Sequence, residues 1–380
     1  MVGGAPTLSV GIEEEYLLVD LETRALATDP PRAFFDECYS RLGDQAAHEF
    51  LKSQIEVNTA VARSIPEATE MLIELRTAII ETAKKYNLAP IAASTHPFSH
   101  WSEQGHTEQE RYHTIANDMQ AVVRRLVISG MHVHVGIEDD ELRIDLMNQV
   151  TYFLPHLLAL TTSSPFWQGE NTGLKSYRLS VWDEMPRTGL PNPFDSHAEY
   201  ARHVRVLVDA GIIEDATKLW WDIRPSGRYP TLEMRIADVC TNIHDAAAVA
   251  ALYTCILRML WRLKTNNQRW RQYAIMLVSE NRWRAQRYGL DEGLVDYGRG
   301  QIVPYAELID ELINLVSEDA DAMNCTTELM HLKTIVSRGT SAHRQVRCYD
   351  AALESGDDQK AALIKVVDHL IAETQDFSTS

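Results

Sequence analysis

Glu13 and Glu15, His132 and His134, and Glu233 and Arg235 each stand two residues apart in runs that otherwise alternate with hydrophobes. The runs are SVGIEEEYLLVD (9–20), SGMHVHVGI (129–137) and TLEMRIADV (231–239). Successive side chains of a strand point to opposite faces, so each pair shares one face and is backed by apolar neighbours on the other. Leu8, Val10, Ile12, Tyr16 and Leu18 back the first pair, Met131, Val133, Val135 and Ile137 the second, and Leu232, Met234 and Ile236 the third. Taken singly, each pair reads first as ordinary solvated surface on a sheet with one wet face. Together they are two carboxylates, two imidazoles, and a carboxylate with a guanidinium, where a wet face more often carries Lys, Thr and Ser. Converging carboxylates and imidazoles suit a divalent cation, and a neighbouring arginine suits a carboxylate or phosphate. Glu14 falls on the apolar side and is expected to be a bystander whose loss affects packing.

Further candidates follow from HEFLKSQIEVNT (48–59), where Ile55 and Val57 alternate with Glu56 and put it on a polar face. Glu49, seven residues earlier, would sit on the wrong face of one regular strand and needs a bend or a separate strand. NTGLKSYRLSVW (171–182) brings Tyr177, Arg178 and Trp182, and WWDIRPSGRYPTLEMR (220–235) brings Arg224 and Arg228 on either side of a Pro-Ser-Gly turn. These arginines read equally as side chains snorkelling over a surface loop or as an electropositive mouth for a triphosphate. Neither G-x-x-x-x-G-K-[ST] nor G-x-G-x-x-G occurs, so a nucleotide would have to be held without a P-loop or Rossmann turn. GTSAHRQV (339–346) reads as a turn.

The elements that must position these residues mix helices and strands without strict alternation. Ser64 and Glu67 fit a capping box with Pro66 in the first turn, and Met71, Leu72, Leu75, Ala78, Ile79 and Ala83 follow at helical spacing. Further helices are expected over about 108–129, over 140–161 with a kink at Pro155, over 305–317 and over 359–374. DAAAVAALYTCILRMLWRL (245–263) is apolar nearly all round and reads as a central buried helix. Strands are expected at 7–20, 131–137 and 231–239, with shorter ones at 54–57 and 91–94. GLPNPFDSH (189–197) reads as a loop, and no repeat or Gly/Ser/Pro linker divides the chain. The expectation is an α+β fold with a mostly antiparallel sheet, as a single catalytic domain over 1–380.

With 380 residues, 45% of them hydrophobic, the chain can bury a large core. A formal charge of −18 with no Lys/Arg run excludes a nucleic-acid surface. Five cysteines without C-x-x-C spacing suit free thiols in a reducing cytoplasm. The N-terminus lacks the features of a signal peptide, and no run reaches the roughly 18 apolar residues of a membrane span. A homodimer is compatible with the apolar helices and tryptophans, which a buried core explains equally well.

GIEEEYLLVD, STHPFSHW, ERY, GMHVHVG, SPFWQGENTGLKSYR, WDIRPSGRYPTLEMRIADV and RYGL, in this order between about residues 7 and 345, resemble the YbdK-type carboxylate–amine ligases of the second glutamate–cysteine ligase family. The resemblance implies a glutamine-synthetase-like core, a curved sheet forming a funnel-shaped site with helices outside; residues 346–380, beyond its reach, read from their own pattern as a helical C-terminal segment. It implies ATP-dependent ligation with Mg²⁺ or Mn²⁺, joining a small carboxylate such as glutamate to an amine such as cysteine through an acyl phosphate. Its G-x-E-x-E pattern puts Glu13 and Glu15 on metal, and an acidic pair seven residues apart matches Glu49 and Glu56. A G-x-H pattern gives His132 a metal or nucleotide role, and E-x-R gives Glu233 a metal and Arg235 the substrate or phosphate. The second histidine is not histidine in the better-characterised ligases, so no metal role passes to His134. Metal-dependent hydrolysis by the same Glu/His set is one alternative, and it predicts turnover without ATP. A catalytically weak ATP- or amino-acid-binding protein is the other, and it predicts nucleotide binding without phosphate release.

Overall fold

The computed structural model describes residues 4–49, 51–105 and 125–378. One seven-stranded sheet organises it: β1 (Val10–Asp20), β2 (Ala46–His48), β3 (Gln54–Asn58), β4 (Leu88–Ile91), β5 (Met131–Gly136), β6 (Ile223–Pro225) and β7 (Thr231–Met234). Every pairing is antiparallel, in the order β6–β7–β5–β1–β3–β2, and β4 follows β5 along the same edge of β1. The helices are α1 (Arg32–Leu42), α2 (Ile65–Lys84), α3 (Asp140–Val150), α4 (Leu154–Thr161), α5 (Arg178–Trp182), α6 (His197–Asp209), α7 (Ile243–Thr265), α8 (Ile275–Tyr288), α9 (Tyr305–Met323), α10 (Thr326–Met330), α11 (Leu332–Arg338), α12 (Ser341–Glu354) and α13 (Gln359–Thr374). This is the α+β architecture expected from the patterning.

Period two in β1 sends Val10, Ile12, Tyr16 and Leu18 into one core with Ile55, Val57, Met131, Val133, Val135, Leu232 and Met234. α2 supplies Leu72, Leu75 and Ile79 to the same core, and α7 supplies Ala246, Ala250 and Tyr253. Each large aliphatic side chain buried this way contributes about 1.5–3 kcal/mol. α7 is capped by Asn242, whose side chain accepts from the backbone N–H of His244 and Asp245. Length and composition would let α7 cross a membrane, but 78% of that window is buried inside the protein, which makes it a core helix.

The opposite face of β1 changes character along its length. Glu13 and Glu15 face a cavity, whereas Leu17 and Val19 join a second core with Ala89, Ile91 and the α13 residues Leu363, Val366 and Leu370. α13 therefore closes the apolar end of a face whose other half is left polar.

Several boundaries differ from the sequence reading. The expected strand 231–239 stops at Met234, because the N–H groups of both Arg235 and Ile236 bond to the Asp222 carbonyl, at 2.8 and 3.0 Å, and leave the ladder. The expected strand 91–94 lies instead at 88–91; beyond it Ala92 and Ser94 donate to the Thr374 and Ser163 hydroxyls. In 140–161 the break comes at a 3₁₀ turn over Thr151–Phe153, upstream of Pro155, which sits in the first turn of α4. Ser64 caps α2 by accepting from Glu67 N–H, but the Glu67 carboxylate takes the N–H of Arg63, not of Ser64. Of the helix expected over 108–129, residues 108–124 lie outside the described residues, and 125–129 are non-helical, with Ile128 bridged to Thr95.

Candidate functional site

Strand register sets the site. Glu13 pairs with His132 on one side and Asn58 on the other, Glu15 pairs with Glu56, and His134 pairs with Glu233. Because all lie on the face opposite the main core, they converge on a cavity of about 830 Å³. Within it the carboxylates divide into two groups. Glu13, His134 and Glu233 bring one ligand atom each within 4.8 Å of one another, and Glu15, Glu49 and Glu56 do the same. Glu49 follows β2, a separate strand antiparallel to β3, which resolves the parity problem of a single strand.

In the first group Glu13 Oε2 accepts from His132 Nδ1 at 3.0 Å, and Glu13 Oε1 lies 3.1 Å from His134 Nε2. Burial alone would raise the Glu13 carboxyl, yet the two histidines hold it well below the usual range. His132 is lowered to about 4 by burial and by Arg235, whereas His134 is raised, because Glu13 and Glu233 outweigh its burial. Glu233 is gripped by Arg224 through Nε (2.8 Å) and Nη2 (3.1 Å) and by Arg235 through Nη1. Those two guanidiniums overcome its burial and keep it ionised.

The second group behaves oppositely. Glu15 Oε2 accepts from Gly130 N–H at 2.8 Å and Glu56 Oε1 from Asn58 Nδ2 at 2.7 Å. Burial and the Glu56 charge push Glu15 up to about 7, and burial, with Glu13 nearby, raises Glu56. Half-buried carboxylates crowded together, with Glu15 raised by the charge of Glu56, are a donor set that a divalent cation fits, since hard oxygen ligands take the added positive charge and it relieves the repulsion. In the first group the two carboxylates suit Mg²⁺ or Mn²⁺, and the His134 imidazole adds a softer nitrogen donor.

The sequence candidates are distributed as follows. Glu13, Glu15, Glu49, Glu56, His132, Arg178, Trp182, Arg224, Arg228, Glu233 and Arg235 all line the cavity. Arg228 is exposed at its edge. Trp182 lies under two cations, with the Arg178 and Arg235 guanidinium carbons 5.7 and 5.9 Å from its ring centroid. Tyr177 is not brought in: its ring packs on Trp167, 5.4 Å between centroids, because α5 turns Arg178 and Trp182 inward and leaves Tyr177 on the second core. His134, and not His132, joins Glu13 and Glu233 in the three-residue group. Strand parity alone put both histidines on that face, and the Glu233 register separates them. Asn58, which orients Glu56, was also missed; its parity with Glu56 two residues away was a readable signal.

A family model described as glutamate–cysteine ligase family 2 matches residues 9–369. A protein provisionally named glutamate–cysteine ligase 2 from Rhodospirillum rubrum is 61% identical over 373 residues, covering 97% of this chain and 96% of that one. One of the same name from a Jannaschia species is 50% identical over 365 residues, with 96% of each covered. Among solved structures, a bifunctional glutathione synthetase from Pasteurella multocida superimposes with a TM-score of 0.69 at 15% identity, over 96% of this chain and 52% of that longer one. A glutamate–cysteine ligase from Francisella tularensis, solved with AMP, gives 0.65 at 14% identity over 97% and 89%. At these identities the two structures speak for the fold.

Proposed function

The chain belongs to glutamate–cysteine ligase family 2, and we propose that the cavity beneath β1, β5 and β7 is where it activates a carboxylate with ATP and joins it to an amine. It is an ATP-dependent carbon–nitrogen ligase acting on small molecules. The observation that carries the site assignment is the convergence of Glu13, Glu15, Glu49, Glu56 and Glu233 with His132, His134, Arg178, Arg224 and Arg235 in one cavity. Divalent cations held by Glu13, His134 and Glu233, and by Glu15, Glu49 and Glu56, would supply the positive charge that polyphosphate oxygens need. Arg235, with Arg224 and Arg178, faces the developing charge on the transferring phosphoryl group. His132 holds Glu13 in place through Oε2. In the first step a carboxylate oxygen of the substrate bonds to the γ-phosphorus and the γ-phosphorus bond to the bridging oxygen breaks, releasing ADP. The amine nitrogen then bonds to the acyl carbon, the carbon–oxygen bond to phosphate breaks, and the amine loses a proton. Glutamate and cysteine are the first substrates to test, because the relatives are named for them.

Residues 1–380 act in this reading as one catalytic unit, supported by the way α13 closes the far half of β1. A reducing cytoplasm suits it: Cys255 and Cys325 lie buried with their sulfurs 3.5 Å apart as free thiols.

Phosphate release from ATP across a matrix of carboxylates and amines tests the function. Release that requires both a carboxylate and an amine is expected, and a flat response across the matrix would sink it. Turnover without ATP would favour a hydrolase.

Cation binding should also depend on pH with a definite sign. Glu15 titrates near 7 in the folded chain against an ordinary 4.5, so the metal-free fold loses stability as pH rises through that window. A cation bound to the ionised group removes the loss. The rise in melting temperature on adding Mg²⁺ is therefore expected to be larger at pH 8 than at pH 6. An equal or smaller rise at pH 8 counts against Glu15 as a ligand.

A further inference from the structure

We propose that Gly130 is a positioning residue of this site, its absent side chain being the floor on which the Arg178 guanidinium lies; the kinetic consequence rests on the role given to Arg178 above. A Cβ at Gly130 would stand 2.5 Å from Arg178 Nη2, closer than non-bonded atoms tolerate, and tightly at 3.0 Å from Cζ and 3.2 Å from Nε. Backbone conformation does not demand glycine here, since Gly130 is absent from the residues with positive φ. What demands it is the arginine.

Neither partner's backbone can yield. Gly130 N–H donates to Glu15 Oε2 at 2.8 Å, its carbonyl accepts from Glu15 N–H at 3.1 Å, and it is bridged to Asp238 on the other side. The main chain at Arg178 is fixed through Ser164, whose hydroxyl accepts Arg178 N–H at 3.1 Å and donates to Asp238 Oδ2 at 2.7 Å. Asp238, fully buried, also takes the Ser163 N–H and the Ser176 hydroxyl. An added methyl group can be accommodated only by swinging the guanidinium. That motion takes it off the Ile236 and Arg235 carbonyls, which it reaches at 3.4 and 3.3 Å, and away from Trp182. The atoms that must move are the far end of a flexible side chain, so the fold absorbs the change while the cation leaves its place.

Gly130→Ala, Arg178→Lys and the double variant make the test, read by kcat, melting temperature and the crystal structure of Gly130→Ala. Lysine lacks the Nη2 atom that makes the tightest contact. Gly130→Ala alone is expected to lower kcat about a hundredfold, as a displacement of about 1 Å can, with melting within a few degrees of wild type. In the Arg178→Lys background the same substitution should change kcat less than about threefold, the signature of two residues acting through one contact. An equal fold-loss in both backgrounds, or full activity in Gly130→Ala, overturns the proposal, as does an unmoved guanidinium in the crystal. If the wild-type chain shows no ATP turnover, the ligase reading fails by itself, and a displaced Arg178 in the Gly130→Ala crystal still supports the positioning.

Discussion

Glu15→Gln is expected to remove ATP turnover, by at least about a hundredfold in kcat, while leaving the metal-free protein as stable as wild type or more so. Glutamine keeps the shape of the side chain, and its one carbonyl oxygen can still accept the Gly130 N–H that Glu15 takes at 2.8 Å. What it removes is the charge. In the metal-free fold that charge is costly, since burial and Glu56 push the Glu15 carboxyl up to about 7. Taking it away relieves a repulsion and should raise the melting temperature slightly above pH 7. With a cation present the balance reverses: three carboxylates within 4.8 Å become two, and the stabilisation by Mg²⁺ seen in wild type should shrink. The measurement is kcat together with melting curves with and without Mg²⁺. Wild-type turnover in Glu15→Gln would mean that the second carboxylate group is not a metal site.

How much of this was legible in the sequence depends on the distance over which the information acts. Parity is local, so 13 and 15, 132 and 134, and 233 and 235 could be assigned to one polar face before any fold was known. Which strand lies beside which is not local. The register that puts Glu233 opposite His134, and so selects that imidazole over His132 for the first group, comes from pairing across 99 positions of chain, between residues 134 and 233. Strand ends were misjudged where side chains or carbonyls outside the sheet captured the backbone, as the Asp222 carbonyl does at Arg235 and Ile236. Tyr177 was misplaced because it was read with Arg178 as one stretch, whereas at the start of α5 adjacent side chains diverge by about 100° and face different cores. Gly130 stood in the G-x-H pattern, but its purpose was not legible, since a glycine needed for space looks the same in sequence as one needed for a turn.

Glu14→Gln should do the opposite of its neighbour: destabilise the fold strongly and leave the chemistry of the folded fraction intact. Glu14 is the residue that parity sent to the apolar side, and the structure corrects its reading as a bystander. It is fully buried, and both its oxygens accept from Arg76 Nη2, at 2.9 and 2.7 Å, while Tyr16 donates its hydroxyl to Oε2. Arg76, also fully buried, donates onward to the carbonyls of Cys240 and Thr241, just before α7 begins. One ion pair thus ties β1, α2 and the entry to the central helix inside the main core. The sign of Arg76 was present in the sequence, because positions 72, 76, 79 and 83 share one face of α2 and only one of them is charged. Replacing the glutamate by glutamine leaves the guanidinium buried without its counter-charge, which costs about 3–5 kcal/mol. For a chain of this length that corresponds to a fall in melting temperature on the order of 5 °C. Well below the transition, kcat should stay within about twofold of wild type, because Glu14 points away from the cavity and nothing in the loss of the pair moves Glu13 or Glu15 across the sheet. Melting curves and kcat measured on the same preparations decide it. A variant that melts like wild type would show that the pair does not hold these elements together, and a large loss of kcat in a well-folded variant would show that the two faces of β1 are coupled.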